Sequence, residues 1–203
     1  LLSRVKYESL SGTSVLWDFV ELPSQLMENW LYEKEWLDSF VRHYKTGEKI
    51  PAELQDKLLS AKNFRSGSNF EAQLRYGMLD MAWHSITSAT EETVKDFETR
   101  VVEKTRLLPA VKETAMSPAF SHIFAGGYAS GYYSYKWAEV LDADAFSLFK
   151  KHGIFDKKTA LSFRTHILEK GGSVHPMKLY KRFRGQEPTI DALLKRSGLV
   201  SKE

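Results

Sequence analysis

The chain has no cysteine, which excludes disulfides, thiolate metal sites and a cysteine nucleophile and leaves the redox compartment open. It has little excess charge of either sign: 29 Lys and Arg against 26 Asp and Glu leave a net +3. The basic cluster from Lys178 to Arg184 is interleaved with Leu179, Tyr180 and Phe183, the pattern of a solvated helix face, so no nucleic-acid partner is expected. No apolar run reaches the length of a membrane span, and no charged-then-apolar signal opens the chain, so no membrane partner is expected either. Internal repeats, low-complexity tracts and strand pairs joined by hairpin turns are also missing. What remains is 203 residues, 42% of them hydrophobic, enough for one or two compact helical units with a sizeable core. The fold class expected is all-α.

Apolar residues recur at three and four from residue 18 to 43 (Phe19, Leu22, Leu26, Trp30, Leu37), predicting one amphipathic helix bent near Pro23. A proline-started helix follows from Pro51, and residues 65–69 read as a loop. The next helix, over residues 70–86, takes Leu74, Met78, Leu79, Met81 and Trp83 as core candidates. Ser88-Ala-Thr-Glu91 has the capping-box pattern and predicts a helix to about residue 107. Residues 108–127 form the longest stretch without periodicity, the kind of segment that is often functional. Further helices are expected up to Lys151 before Gly153, from an Asp156 cap to Lys170 before Gly171-Gly172, over residues 176–184, and over residues 189–197.

That long stretch leads into Phe120-Ser-His-Ile-Phe-Ala-Gly-Gly-Tyr-Ala-Ser-Gly-Tyr-Tyr-Ser-Tyr-Lys-Trp137, which packs one His, four Tyr, one Trp and three Gly into eighteen residues. A helix starting after Gly126-Gly127 would place Tyr128, Tyr132 and Tyr135 at i, i+4 and i+7 on one face. Neutral phenols near soft backbone are suited to holding peptide carbonyls or an oxyanion. The same spacing also describes core tyrosines whose hydroxyls reach the surface, and spacing leaves both readings open. Tyr133 and Trp137 fall on another face and read as core.

Near the start, Asp18 and Glu21 stand at i and i+3 with Gln25 four further on. One helix face could thus offer a carboxylate metal ligand with hydrogen-bonded support. Acidic residues in a first turn more commonly complement the helix dipole. His43, His84, His152, His166 and His175 show no ligand spacing and read as surface or locally bonded histidines.

Three motifs, in order, resemble one known family. They are Ser11-Gly-Thr-x-x-x-x-Asp18-Phe-Val-Glu21-x-Pro-Ser-Gln, His122-Ile-Phe-Ala-Gly-Gly-Tyr128-Ala-Ser-Gly-Tyr132-Tyr-Ser-Tyr135-x-Trp, and Arg182-Phe-Arg-Gly-x-Glu-Pro with Gly198-Leu near the end. The family is that of the thimet oligopeptidase zinc metallopeptidases. The resemblance implies a zincin-type, largely helical catalytic domain with one zinc held by a His-Glu-x-x-His helix and a downstream Glu. It maps Glu21 to that third ligand, with Asp18 either behind it or a simple helix cap. It maps Tyr135 and His122 to catalytic positions beside the tetrahedral intermediate, and Tyr128 and Tyr132 to substrate-binding positions. The His-Glu-x-x-His motif is absent from the chain, and family spacing puts it a few residues before Leu1. Residues 1–203 are therefore expected to be the C-terminal part of the catalytic domain, inactive alone, not retaining zinc, and partnered by the missing N-terminal part. Short peptides are the implied substrates and the cytoplasm the implied location. Of the two family branches, Leu79-Asp-Met-Ala-Trp-His84 and Asp96-Phe-Glu98 are more like the peptidyl-dipeptidases, with the endo-acting oligopeptidases as the alternative. A non-catalytic helical interaction module is the expectation from a different class.

Overall fold

The computed structural model describes residues 2–200, and those residues are helical without a strand. In chain order the helices are α1 (Trp17–Val20), α2 (Leu22–Glu28), α3 (Lys34–Phe40), α4 (Ala52–Ala61), α5 (Ser66–His84), α6 (Val94–Val102), α7 (Ser121–Phe124), α8 (Ser134–His152), α9 (Lys157–Phe163), α10 (Pro176–Arg184) and α11 (Asp191–Arg196). The chain divides into two compact units, one formed by residues 1–66 with 138–203 and the other by residues 67–137.

In the first unit α8 is the central element. Ala138, Leu141, Ala143, Ala145, Phe146 and Phe149 on it are all buried. Trp30 meets Phe146 and Phe149 edge-on at 4.7 and 5.0 Å between ring centroids, and its indole N–H donates to the Ile154 carbonyl at 3.1 Å. Phe163 and Phe183 close the other side at 5.2 Å. Burying α8 all round also buries Asp142 and Asp144, and each is partnered as a buried charge requires. Asp142 accepts from the Asn29 amide at 2.7 Å and pairs with Arg196. Asp144 accepts from the Tyr180 hydroxyl at 2.6 Å and pairs with Arg184 at 2.9 Å.

The helix expected over residues 18–43 is instead α1, α2, a 3₁₀ turn over Asn29–Tyr32, and α3. Pro23 stands in the first turn of α2, where its missing N–H costs nothing. The second break has a tertiary cause: the buried Asn29 amide donates to the Gln25 and Leu26 carbonyls at 3.2 and 3.1 Å as well as to Asp142. A side chain bonded back to those carbonyls competes with the regular ladder.

The Asp156 cap forms, its carboxylate accepting from Thr159 N–H at 2.7 Å. The helix it opens passes into a π turn over Arg164–Leu168 before reaching Gly171. The two glycines there do more than stop a helix. A Cβ on Gly171 would stand 2.0 Å from the Leu10 carbonyl oxygen, and one on Gly172 would stand 2.2 Å from that of Ser14. Their bare backbone lets the Ser11-Gly12-Thr13 segment, which leads into α1, lie directly against them.

The second unit is built on α5 and α6. Leu79, Val102, Phe120 and Ile123 form its buried cluster, with Tyr76, Trp83 and Tyr132 packed against it. Leu74, Met78 and Met81, expected in the core, are exposed. The cap predicted at Ser88 is found at Thr93, which accepts from Asp96 N–H at 3.2 Å and donates to its carboxylate at 2.7 Å. No helix among the described residues is long and apolar enough to cross a membrane.

Candidate active site

The tyrosine stretch does not begin a helix at Tyr128. Tyr128 has no regular structure, residues 129–133 are turns and α8 starts at Ser134, so the expected helical face is not what gathers the phenols. They gather nonetheless. The Tyr128 and Tyr135 rings stack at 5.1 Å, and Tyr132 lies 5.2 Å from Tyr135. His122 on α7 stands 5.9, 6.1 and 6.2 Å from Tyr128, Tyr132 and Tyr135. All four rings sequence reasoning singled out in this stretch thus share one place, His122 exposed and Tyr128, Tyr132 and Tyr135 half-buried.

Local backbone chemistry explains the convergence. After α7 the chain turns back so that Tyr128 N–H donates to the His122 carbonyl at 3.0 Å. At Gly126 a Cβ would fall 2.8 Å from His122 Cα, so the turn requires a residue without one. Tyr133 is exposed rather than core. The Tyr132 ring packs edge-on to Phe120 at 5.0 Å and to Tyr76 at 5.8 Å. Burial raises its phenol pKa, with Tyr76 and Tyr135 adding to the effect, so the hydroxyl stays a neutral donor well above neutral pH.

Two buried carboxylates that the sequence reading passed over hold the flanking loops. Glu98 on α6 accepts from Met116 N–H at 2.8 Å and from the Ser117 N–H and hydroxyl at 2.8 and 2.9 Å. Asp80 on α5 accepts from Ser130 N–H at 2.9 Å and Tyr132 N–H at 2.8 Å. The available signal was an Asp beside Leu79 on the core-facing side of a helix, with His84 at i+4.

Glu21 lies in the other unit, at the junction of α1 and α2, in helical backbone conformation and half-buried. Its carboxylate accepts from the Ser24 hydroxyl at 3.1 Å, and the same hydroxyl reaches its carbonyl at 3.0 Å. Ser24 therefore helps to orient Glu21. Asp18 sits in the first turn of α1. Among the described residues no three His, Asp or Glu side chains come together to hold a metal ion. Catalytic zinc takes three protein ligands, and Glu21 is the carboxylate that the family resemblance maps to one of them. The remaining histidines have local partners: His84 with Asp80, His152 with Thr159, His166 with Ser162, His175 with Met177 N–H, and His43 with Thr46.

An all-α unit thus gathers three phenols beside an imidazole, in a chain that also carries the half-buried carboxylate of Glu21. Residues 1–199 match peptidase family M3, and the chain belongs to that family, whose members are zinc metallopeptidases. Among curated relatives it is 47% identical over 202 residues to oligopeptidase A of Escherichia coli and 46% identical to that of Salmonella typhimurium. It is 39% identical over 201 residues to dipeptidyl carboxypeptidase of Salmonella typhimurium. Each of these alignments covers 98% of the chain, and the chain spans about 30% of the length of each relative.

Proposed function

We propose that residues 1–203 are the C-terminal part of the catalytic domain of a zinc peptidase that hydrolyses short peptides. In this reading the chain brings to the enzyme one zinc ligand and the aromatic surface on which the peptide lies. The observation that carries it is the convergence of His122, Tyr128, Tyr132 and Tyr135 with rings 5.1 to 6.2 Å apart. Tyr135 and His122 donate to the carbonyl oxygen as it gains charge, where a neutral donor placed in advance contributes most. Tyr128 and Tyr132 hold the peptide backbone on either side, and the raised pKa of Tyr132 keeps its proton in place for that role. Glu21, steadied by Ser24, is the chain's zinc ligand, and Asp18 in the first turn of α1 either supports it or serves only the helix start. The remaining ligands and the general base belong to the part of the protein before Leu1, so the chain alone is inactive. On the family resemblance the enzyme is cytoplasmic.

The sequence motifs by themselves favoured removal of C-terminal dipeptides. The higher identity to oligopeptidase A than to dipeptidyl carboxypeptidase, 47% against 39%, favours internal cleavage instead. Digestion of an N-terminally blocked peptide by the longer protein separates the two. A single internal cut is the expected product pattern, successive C-terminal dipeptides would restore the dipeptidase reading, and no cleavage at all would refute both.

A further inference from the structure

We infer that Asp80 is a positioning residue for the aromatic site: its buried carboxylate, oriented by His84, sets the turn over residues 130–132 and thereby the pose of Tyr128 and Tyr132 toward a peptide. The inference deepens the functional reading above and rests on it. Asp80 is fully buried on α5, and His84 Nδ1 lies 2.8 Å from its carboxylate. A carboxylate so placed loses its hydration and needs compensating donors. Those donors are Ser130 N–H, Tyr132 N–H and His84 Nδ1. His84 Nδ1 also lies 2.9 Å from the Asp80 carbonyl, and with two acceptors in reach it is the nitrogen that carries hydrogen.

The two backbone donors bracket Gly131, so both carboxylate oxygens are committed to one turn. Within that turn Ser130 has φ +57°, a left-handed conformation that costs a residue with a Cβ about 1 kcal/mol. Asp80 holds it there. The Gly131 N–H donates to the Tyr128 carbonyl at 2.8 Å, so the clasp reaches Tyr128 as well as Tyr132. Tyr135 depends on it less, because its backbone belongs to α8. Loosening the clasp should therefore disturb peptide binding more than the chemical step.

The test is steady-state kinetics of the intact peptidase with amide hydrogen exchange on the same protein. Asp80→Asn keeps the shape but turns an amide N–H toward a backbone N–H. It should raise KM about tenfold while kcat changes by less than about threefold, the signature of lost binding. Adding Ser130→Gly, which accepts the left-handed turn without strain, should recover part of that KM. Exchange at the Ser130 and Tyr132 amides should quicken at least about tenfold relative to those of α5. Unchanged KM, a fall in kcat alone, or no rescue by Ser130→Gly overturns the inference. If Asp80→Asn does not fold, the partly exposed His84 decides: His84→Ala should raise KM about threefold and His84→Asn, whose amide replaces Nδ1–H, should restore it. Equal KM values for that pair overturn it. If the wild-type protein cleaves no peptide, the functional reading fails, and exchange at Ser130 and Tyr132 alone decides whether Asp80 sets the turn.

Discussion

Replacing Gly171 by Ala tests how the first unit holds the segment that leads to Glu21. Gly171 has φ +46°, where an alanine is disfavoured by roughly 1 kcal/mol. Its new Cβ would stand 2.0 Å from the Leu10 carbonyl oxygen, more than an ångström inside ordinary contact, with that carbonyl's carbon at 3.1 Å and Ser11 Cα at 3.4 Å. All three are backbone atoms, so no rotamer change relieves the clash. The segment must retreat, straining the Arg4 to Glu169, Ser11 to Glu8 and Ser14 to Ser11 backbone bonds, now 2.8, 2.9 and 3.0 Å. Overpacking of this kind costs about 1–3 kcal/mol, for a total of roughly 2–4 kcal/mol. Gly12→Ala is the control: φ there is +58° with nothing within 4 Å, so roughly 1 kcal/mol is expected from conformation alone. In urea titrations of the intact protein with an m-value of about 2 kcal/mol/M, Gly171→Ala should lower the midpoint by about 1–2 M and Gly12→Ala by about 0.5 M. Equal shifts would refute the close approach as the reason for glycine at 171.

Tyr180→Phe removes the hydroxyl that donates to Asp144 at 2.6 Å and to the Leu141 carbonyl at 3.0 Å. Leaving a buried carboxylate short of a donor should destabilise the protein by about 1.5–3 kcal/mol, read by chemical denaturation. Lys62 carries a pKa lowered first by burial and next by Arg196. Its charged form is thus penalised in the folded state at neutral pH, and the penalty is relieved as pH rises between that lowered pKa and the ordinary 10.5. Lys62→Met should therefore gain stability relative to wild type near pH 7, with the gap closing above pH 10 in parallel melts; a gap that widens with pH would contradict the burial argument. In the intact enzyme Glu21→Gln should lower zinc content measured by atomic absorption, by about tenfold or more at fixed free zinc, since on the proposed reading a ligand carboxylate is lost; full zinc occupancy at full activity would remove Glu21 from the ligand set.

The sequence carried the helical class, the α10 boundaries and the Asp156 cap because each depends on neighbours in the chain. It singled out the aromatic cluster by composition while misjudging its cause. The phenols meet through turns clasped by Asp80, fifty residues before Ser130, and no periodicity reports a bond of that range. Asn29 is similar: its pull on Asp142, 113 residues away, interrupts a pattern that locally reads as one helix. Gly171 and Gly172 were legible as punctuation, whereas their contact with Leu10 and Ser14 required the folded chain. Leu74, Met78 and Met81 fit a core-facing stripe in spacing, yet the buried face of α5 runs through Gly77, Leu79 and Asp80. A glycine and an aspartate on that face carry no hydrophobic signal.

The measurement closest to the central claim is the rate of the intact peptidase with Tyr135→Phe, at saturating peptide and with zinc content verified. The phenol at the middle of the aromatic cluster is read as a donor to the developing oxyanion, so kcat should fall by about 10² or more with little change in KM or bound zinc. A variant that turns over at the wild-type rate would contradict the claim that this cluster faces the reacting carbonyl.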